Sequence, residues 1–319
     1  MWKIVKEYNG IMKKIIDEAK KNLKTIVLPE STDKRVLEAA NEASKEKIAD
    51  IILVGKKEEI LNVCKENNIE LDSNIKIVDN TIAKTEEEKI RKEKYINELY
   101  NLRKHKGMTL EKAEEILKDN VYFATMMVKL KDADGMVSGA IHSTADTLRP
   151  ALQIIKTKEG VKTVSAFFLM ETKKEELGSK GVYIFADCGL VEFPTEEELY
   201  DIVISSVKSF RELVAYDTPR VALLSYSTLG SAKNEKIDKV INVKNRLENE
   251  KVDFDFDGEL QLDAAIIKEV ALLKAPNSKV AGKANILIFP DLQAGNIGYK
   301  LVQRFGDALA LRTNNTRFK

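Results

Sequence analysis

Short apolar runs recur along this chain, and each is followed by a longer amphipathic stretch. Thr25–Leu28 (TIVL) and Ile51–Val54 (IILV) are the first two runs, with Lys76–Val78 a weaker third. A strand that is apolar at every position has no face to give to water. It must be covered on both sides, and helices alternating with such strands supply that cover. Helices are expected at Lys34–Lys47, Glu86–Arg103, Leu110–Lys118 and Tyr122–Lys131. The second half repeats the theme. Thr163–Met170 and Val182–Ala186 read as strands close enough to pair antiparallel. Further strands fall at Val221–Ser225, Phe254–Asp257 and Ile286–Phe289, with helices at Glu196–Arg211, Asn234–Glu248, Asp263–Val270 and from Ala294. The fold class is therefore α/β, with largely parallel sheets. The pattern breaks at Lys156–Lys162, which predicts one α/β domain over residues 1–157 and a second over 158–319, the last helix being a candidate to pack back on the first.

Composition narrows the function. The chain has 319 residues, long enough for two ordinary domains, with 44% hydrophobic and 32% charged residues. A formal net charge of +1 provides no field for nucleic acid or a membrane surface, and the lysines interleave with acids along helices. Cys64 and Cys188 lie far apart without CxxC spacing, so neither a disulfide framework nor a zinc site is expected. His105 and His142 are too few for a histidine metal site without distant carboxylates. No apolar run approaches a membrane span, and MWKIVKEYNGIMKK lacks a secretory core. A cytoplasmic location is expected.

The most chemically pointed segment is Asp132–Pro150, DADGMVSGAIHSTADTLRP. Gly135–Ser138 reads as a short buried strand, and Gly139 and Ala140 allow a turn. Ser143 and Thr144 offer hydroxyls and amides before a helix expected at Ala145–Ile155. An anion at that helix start would meet oriented donors and the positive end of the dipole, and Arg149 adds a planar fork of donors. This is the chemistry of a phosphate or acyl-phosphate pocket. His142 beside Ser143 invites a nucleophile–base reading, but no GxSxG elbow frames the serine, and a positioning histidine is preferred.

Three other segments follow strands, at the strand ends where open α/β sheets bind ligands. Ser225–Lys233 (SYSTLGSAK) places Ser227 and Lys233 in a hydroxyl-rich turn that could cradle phosphate or be an ordinary capped turn; it lacks P-loop spacing. Asp257, Glu259 and Asp263 could bind a divalent metal, but without EF-hand spacing a local role around Gly258 is preferred and no metal is expected. Pro290–Lys300 (PDLQAGNIGYK) sets Asp291 and Asn296 in a loop before a helix carrying Tyr299.

Taken together, IVLPES, the Asp132–Thr157 segment, FADCGL, PRVALLSYSTLGSAK, DGELQLDAA and KAPNSKVAGKANILIFPDLQAGNIGYKLVQR resemble the phosphate acetyltransferase family over residues 12–311. The sister phosphate butyryltransferases look less similar in DGELQ and FPDLQAGNIGYK. The resemblance implies two α/β domains of the isocitrate/isopropylmalate dehydrogenase-like fold with a cleft between them, and a homodimer. It implies acetyl-CoA + phosphate ⇌ acetyl phosphate + CoA by direct thiolate attack in a ternary complex, with CoA as substrate and no further cofactor. It places Ser143, Thr144 and Arg149 on the phosphoryl group, with Arg103, at the family's ELRKxKGMT position, as a second cation. Ser227, Lys233, Asp291, Asn296 and Tyr299 fall in the remaining substrate-binding segments.

The chain departs from the family after Leu311. Where relatives continue with a segment like GPIIQGLxKPVNDLSRG, this chain reads RTNNTRFK. The family's serine, third arginine and proposed aspartate base lie in that segment, and none can be carried over. RTNNTRFK can be encoded by AGG ACC AAT AAT ACA AGG TTT AAA; one nucleotide later the same string reads GPIIQGL. A frameshift near the codon after Leu311 is therefore expected, with the fold largely persisting and activity falling by orders of magnitude. Met12 resembles a family start, which makes residues 1–11 a candidate extension. Two other readings are a phosphate butyryltransferase-like enzyme and a non-catalytic protein that binds acetyl-CoA. A dehydrogenase is disfavoured because no GxGxxG follows a strand.

Overall fold

The structure, a computed structural model, describes residues 10–157 and 162–314. The chain divides after Lys156 into two compact units. The first runs α1 (Ile11–Lys21), β1 (Thr25–Leu28), α2 (Lys34–Lys45), β2 (Asp50–Val54), α3 (Lys57–Glu66), β3 (Lys76–Val78), α4 (Glu86–Arg103), α5 (Leu110–Ile116), α6 (Asn120–Lys129), β4 (Gly135–Met136) and α7 (Thr144–Ile154). Its sheet has the order β3-β2-β1-β4, every pair parallel. Successive side chains of a strand point to opposite faces, and here both faces are apolar. Ile52 and Val54 join Val27, Tyr95, Leu99, Met126 and Ile154 in one core; Ile51 and Leu53 join Leu28, Leu37 and Ile60 in another. Ile26 and Val27 of β1 register with Gly135 and Met136 of β4, so the chain leaves both strands side by side.

Local sequence sets where the helices begin. Thr85 and Glu88 form a reciprocal capping box at the start of α4. Asp119 caps α6 and Ser143 caps α7. Such caps stabilise a helix by about 1 kcal/mol each. Tyr95, fully buried, donates to Asp132 and ties α4 to the turn before β4.

The second unit contains β5 (Ala166–Glu171), β6 (Val182–Ala186), α8 (Glu196–Leu213), β7 (Arg220–Leu224), α9 (Glu235–Glu250), β8 (Asp255–Leu260), α10 (Leu262–Ile266), α11 (Lys268–Lys274), β9 (Ile286–Ile288), α12 (Leu292–Phe305) and β10 (Leu309–Asn314). The sheet order is β10-β5-β6-β9-β7-β8. The β6, β9, β7 and β8 strands are parallel, and β5 runs antiparallel to both β6 and β10. One face packs Phe168, Phe185, Leu224, Leu287 and Phe289 against Ala265, Tyr299 and Val302 from α10 and α12. The other receives α8 and α9.

Several elements differ from expectation. The strand expected at Gly135–Ser138 is only Gly135–Met136 and half-buried, because the chain turns away into the loop that follows. The helix expected at Asp263–Val270 breaks at Ile267, whose extended backbone separates α10 from α11. The Thr163–Met170 strand begins later, at Ala166. Residues 290–300 are mostly helix rather than loop: Asp291 is the N-cap of α12. Beyond Leu311, Arg312–Asn314 continue β10 opposite Phe168, Phe167 and Ala166; the rest of RTNNTRFK, the first nine residues of the possible extension and residues 158–161 lie outside the described residues.

The glycines of QAGNIGYK are explained by packing. A Cβ on Gly295 would meet the Asp187 carbonyl oxygen and, at 3.0 Å, the Cys188 sulfur; one on Gly298 would sit 3.0 Å from the Phe289 ring. Gly295→Ala is expected to force α12 away from the β6 loop, costing about 1–3 kcal/mol. A thermal melt of the purified variant should fall by several degrees; an unchanged Tm would contradict the close approach.

Candidate active site

In the first unit, the loop after β4 wraps around one carboxylate. Glu30, 3% exposed, follows β1 and reaches sideways to its neighbour's loop. Its Oε2 accepts from the amides of Gly139 and Ala140 at 2.8 Å each; its Oε1 accepts from those of Ile141 and His142 at 2.9 Å each. His142 Nδ1 lies 2.8 Å from the same Oε1. Gly139 makes this possible with φ +110°, a conformation other residues rarely adopt. Burial alone would raise the Glu30 pKa. The amides of His142, Ile141 and Ala140 and the His142 ring outweigh it and lower the pKa from 4.5 to about 2.

The segment bearing Glu30 is itself fixed. Asn120 Nδ2 donates to the Pro29 carbonyl at 3.0 Å, and Ser31 Oγ to the Val54 carbonyl at 2.6 Å. From the other side, Arg35, held by Asp33, donates to the Ala140 carbonyl at 2.9 Å.

Ser143 and Arg149 converge on Asp146 at the start of α7. Ser143 Oγ accepts from the Asp146 amide at 3.1 Å and donates to its carboxylate at 2.7 Å; Arg149 Nη1 sits 3.1 Å from the same carboxylate. Asp146 is lowered in pKa by Ser143 first, against a small burial effect, and then by Arg149. Thr144 opens the helix. Arg103 ends α4, and its Nε is buried without a hydrogen-bond partner among the described residues, as are Ser138 Oγ and Thr147 Oγ1. Burial raises the Tyr122 phenol, and the Arg149 and Arg103 guanidiniums both pull it back, so both cations act on one spot of this unit. Tyr122 also donates to Gln153 of α7 at 3.1 Å. The Ser143–His142 nucleophile–base pair does not form: the imidazole faces Glu30 and the hydroxyl faces Asp146.

In the second unit the pattern recurs. Glu259, buried at the end of β8, accepts from Ser227 Oγ at 2.9 Å and from the Gly230 amide at 2.6 Å. Ser227 is fully buried and also accepts from the Ala232 amide at 3.0 Å, so the hydroxyl expected to meet a ligand is used inside its own loop. Lys233 is exposed at the end of that loop. Asp187, buried after β6, accepts from the Ala166, Gly189 and Leu190 amides at 2.8, 2.7 and 2.9 Å; burial raises its pKa in spite of them. Asp291 caps α12 through the Ala294 amide, Asn296 donates to the Cys188 carbonyl at 3.3 Å, and Tyr299 stacks on Phe168 with ring centroids 3.8 Å apart.

The carboxylates weighed as a metal set go separate ways. Asp257 pairs with Lys244, Asp263 with Lys274, and Glu259 holds the Ser227 loop; no metal-ligand cluster occurs among the described residues. A cavity of about 850 Å³ lies where β7 and β8 begin, but its Asp217, Asp253 and Asp257 are paired with Arg220, Arg211 and Lys244. Sequence reasoning brought out Arg103, Ser143, Thr144 and Arg149 but passed over Glu30, Asp146 and Asp187, whose roles depend on contacts distant in sequence or on local bonds no motif announces.

Residues 10–311 match the family model described as "Phosphate acetyl/butaryl transferase". The chain belongs to this family. It is 52% identical over 302 residues to the phosphate acetyltransferase of Thermoanaerobacterium thermosaccharolyticum, covering 95% of this chain and 89% of that one. The phosphate acetyltransferase of Clostridium acetobutylicum is 49% identical over 301 residues, 94% of this chain and 88% of that one. Among solved structures, a phosphotransacetylase from Streptococcus pyogenes superposes with TM-score 0.82 at 38% identity, covering 98% of this chain and 91% of its own. The EutD phosphotransacetylase from Staphylococcus aureus gives TM-score 0.81, also at 38% identity, over 97% and 90%.

The depressed Glu30 pKa makes a pH prediction. A carboxyl that ionises more readily folded than unfolded adds stability above its unfolded pKa and loses it as pH falls through the folded one. From 4.5 to about 2 the contribution is on the order of 3 kcal/mol, present at neutral pH and lost across that window. Glu30→Gln should be less stable at neutral pH and lose less stability on acidification. Equal acid limbs in denaturant unfolding would contradict this.

Proposed function

We propose that this chain catalyses acetyl-CoA + phosphate ⇌ acetyl phosphate + CoA. The observation that carries the reading is the 52% identity over 95% of the chain to a phosphate acetyltransferase. The arrangement of donors around α7 supports it. Towards acetyl-CoA, the CoA thiolate attacks the acetyl carbonyl carbon, a C–S bond forms, and the C–O bond to phosphate breaks as phosphate leaves. A thiol of pKa about 8.5 must lose its proton first, so a base or positive surroundings are required. Ser143, Thr144, Arg149 and Arg103 hold the phosphoryl oxygens in this reading, and donors facing the carbonyl oxygen stabilise the tetrahedral state. Asp146 occupies Ser143 and Arg149 until phosphate takes its place. Ser227 shapes its loop, while Lys233, Asp291, Asn296 and Tyr299 belong to the segments that meet the rest of the substrates. CoA is a substrate, and no other cofactor is needed. The finer fold assignment, isocitrate/isopropylmalate dehydrogenase-like with its cleft, belongs to the same proposal.

No helix among the described residues is long and apolar enough to cross a membrane, and the two cysteines are buried and free, which agrees with a reducing cytoplasm. A homodimer is also proposed. Ile297, Leu301 and Phe305 form an i, i+4, i+8 stripe on α12, with Phe305 88% exposed, and Leu273 on α11 is 86% exposed. An apolar outer surface of this kind calls for a partner.

Acetyl-CoA formation from acetyl phosphate and CoA should be measured for this chain. Transfer is expected; no transfer would overturn the activity. Arg149→Ala should raise the KM for phosphate at least tenfold while the KM for CoA stays within about twofold. Light scattering should give about twice the 35.9 kDa chain mass, and Leu301→Asp with Phe305→Asp should halve it.

A further inference from the structure

We propose that Glu30 is a positioning residue of the phosphate half-site: its buried carboxylate fills the amide nest of residues 139–142 and so fixes where Ser143, Thr144 and Arg149 present their donors. The inference deepens the function proposed above and rests on it.

The argument starts from the register of β1 with β4. Because these strands are parallel neighbours, the residue after Pro29 emerges beside the loop that leaves Met136. Successive amides turned toward one point form a concave site for an anion. In many loops of this kind the anion is a ligand. Here four consecutive amides and an imidazole nitrogen already meet Glu30, at 2.8–2.9 Å. The nest is therefore unavailable to phosphate, which is left with side-chain donors and the helix start. His142, the last member of the nest, directly precedes the Ser143 cap. The position of that cap is thus set by the hydrogen bonds of Glu30, while Asn120, Ser31 and Arg35 hold the anchor and the loop from outside.

Replacing one carboxylate oxygen by NH2 leaves two of the four amides without their acceptor. Glu30→Gln keeps the shape but turns an amide donor toward amide donors. Glu30→Asp keeps the charge but shortens the reach. Neither residue touches the phosphoryl group, so the effect must travel through the loop.

The test compares wild type, Glu30→Gln and Glu30→Asp in the full chain. Hydrogen exchange should be at least tenfold faster at residues 139–142 in Glu30→Gln. Inorganic phosphate binding, read by calorimetry, should weaken at least tenfold in Glu30→Gln and less in Glu30→Asp. Where the chain turns over, the KM for phosphate should rise by a similar factor with the KM for CoA within about twofold. Faster exchange with phosphate binding unchanged would overturn the positioning role, as would equal loss for phosphate and CoA. If the wild type binds phosphate but transfers no acetyl group, the proposed activity fails while the binding comparison still decides the role of Glu30. A wild type that binds no phosphate overturns both.

Discussion

The loop on which the first unit's site depends is organised by one buried charge. Glu30 satisfies four backbone amides and an imidazole that would otherwise face each other or water. A buried carboxylate left unpaired would be strongly unfavourable, and these amides supply the hydrogen bonds it needs. Each solves the other's problem only in one geometry, which requires β4 to lie beside β1. The sheet order and the start of α7 are thus coupled through a single side chain.

The same device recurs in the second unit. Asp187 gathers the amides of Ala166, Gly189 and Leu190, and Glu259 gathers Ser227 and Gly230. All three acids stand at or just beyond the carboxyl ends of parallel strands, where α/β sheets present their ligand loops. Loops shaped this way enter binding already ordered, so less conformational entropy is lost when a ligand arrives. Asp146 differs. It is exposed, and its bonds to Ser143 and Arg149 are ones a phosphate oxygen can replace.

Much of this was legible in the sequence. Continuous runs such as IILV could only be strands covered on both faces, and the helices expected at Glu86–Arg103 and Glu196–Arg211 start where the structure places them. Ser143 stood out because a hydroxyl just before an expected helix could meet an anion; the structure shows that it also caps that helix. What was not legible arises from long-range contact. Glu30 and His142 are distant in sequence, and nothing local says that the acid in LPES reaches the amides of GAIH. The glycines of QAGNIGYK suggested a ligand loop by composition, whereas they allow α12 to approach Cys188 and Phe289. Ile267 broke an expected helix although its neighbours are good helix formers; the Ala264 and Ala265 carbonyls accept from the Gly282 and Ala284 amides instead of from the next helical turn. Beyond Leu311 the family pattern was lost, yet Arg312–Asn314 still pair with β5, since an edge strand needs backbone groups more than particular side chains.

The central claim is that phosphate is held by side chains and the α7 start while Glu30 keeps the amides of residues 139–142. An NMR titration of the isotopically labelled chain with inorganic phosphate tests it most directly. The account predicts that resonances of Ser143, Thr144 and the Arg149 guanidinium shift, while the amides of Gly139, Ala140, Ile141 and His142 remain protected and nearly unmoved. Large shifts and new exchange at those four amides, with Glu30 displaced by phosphate, would contradict it.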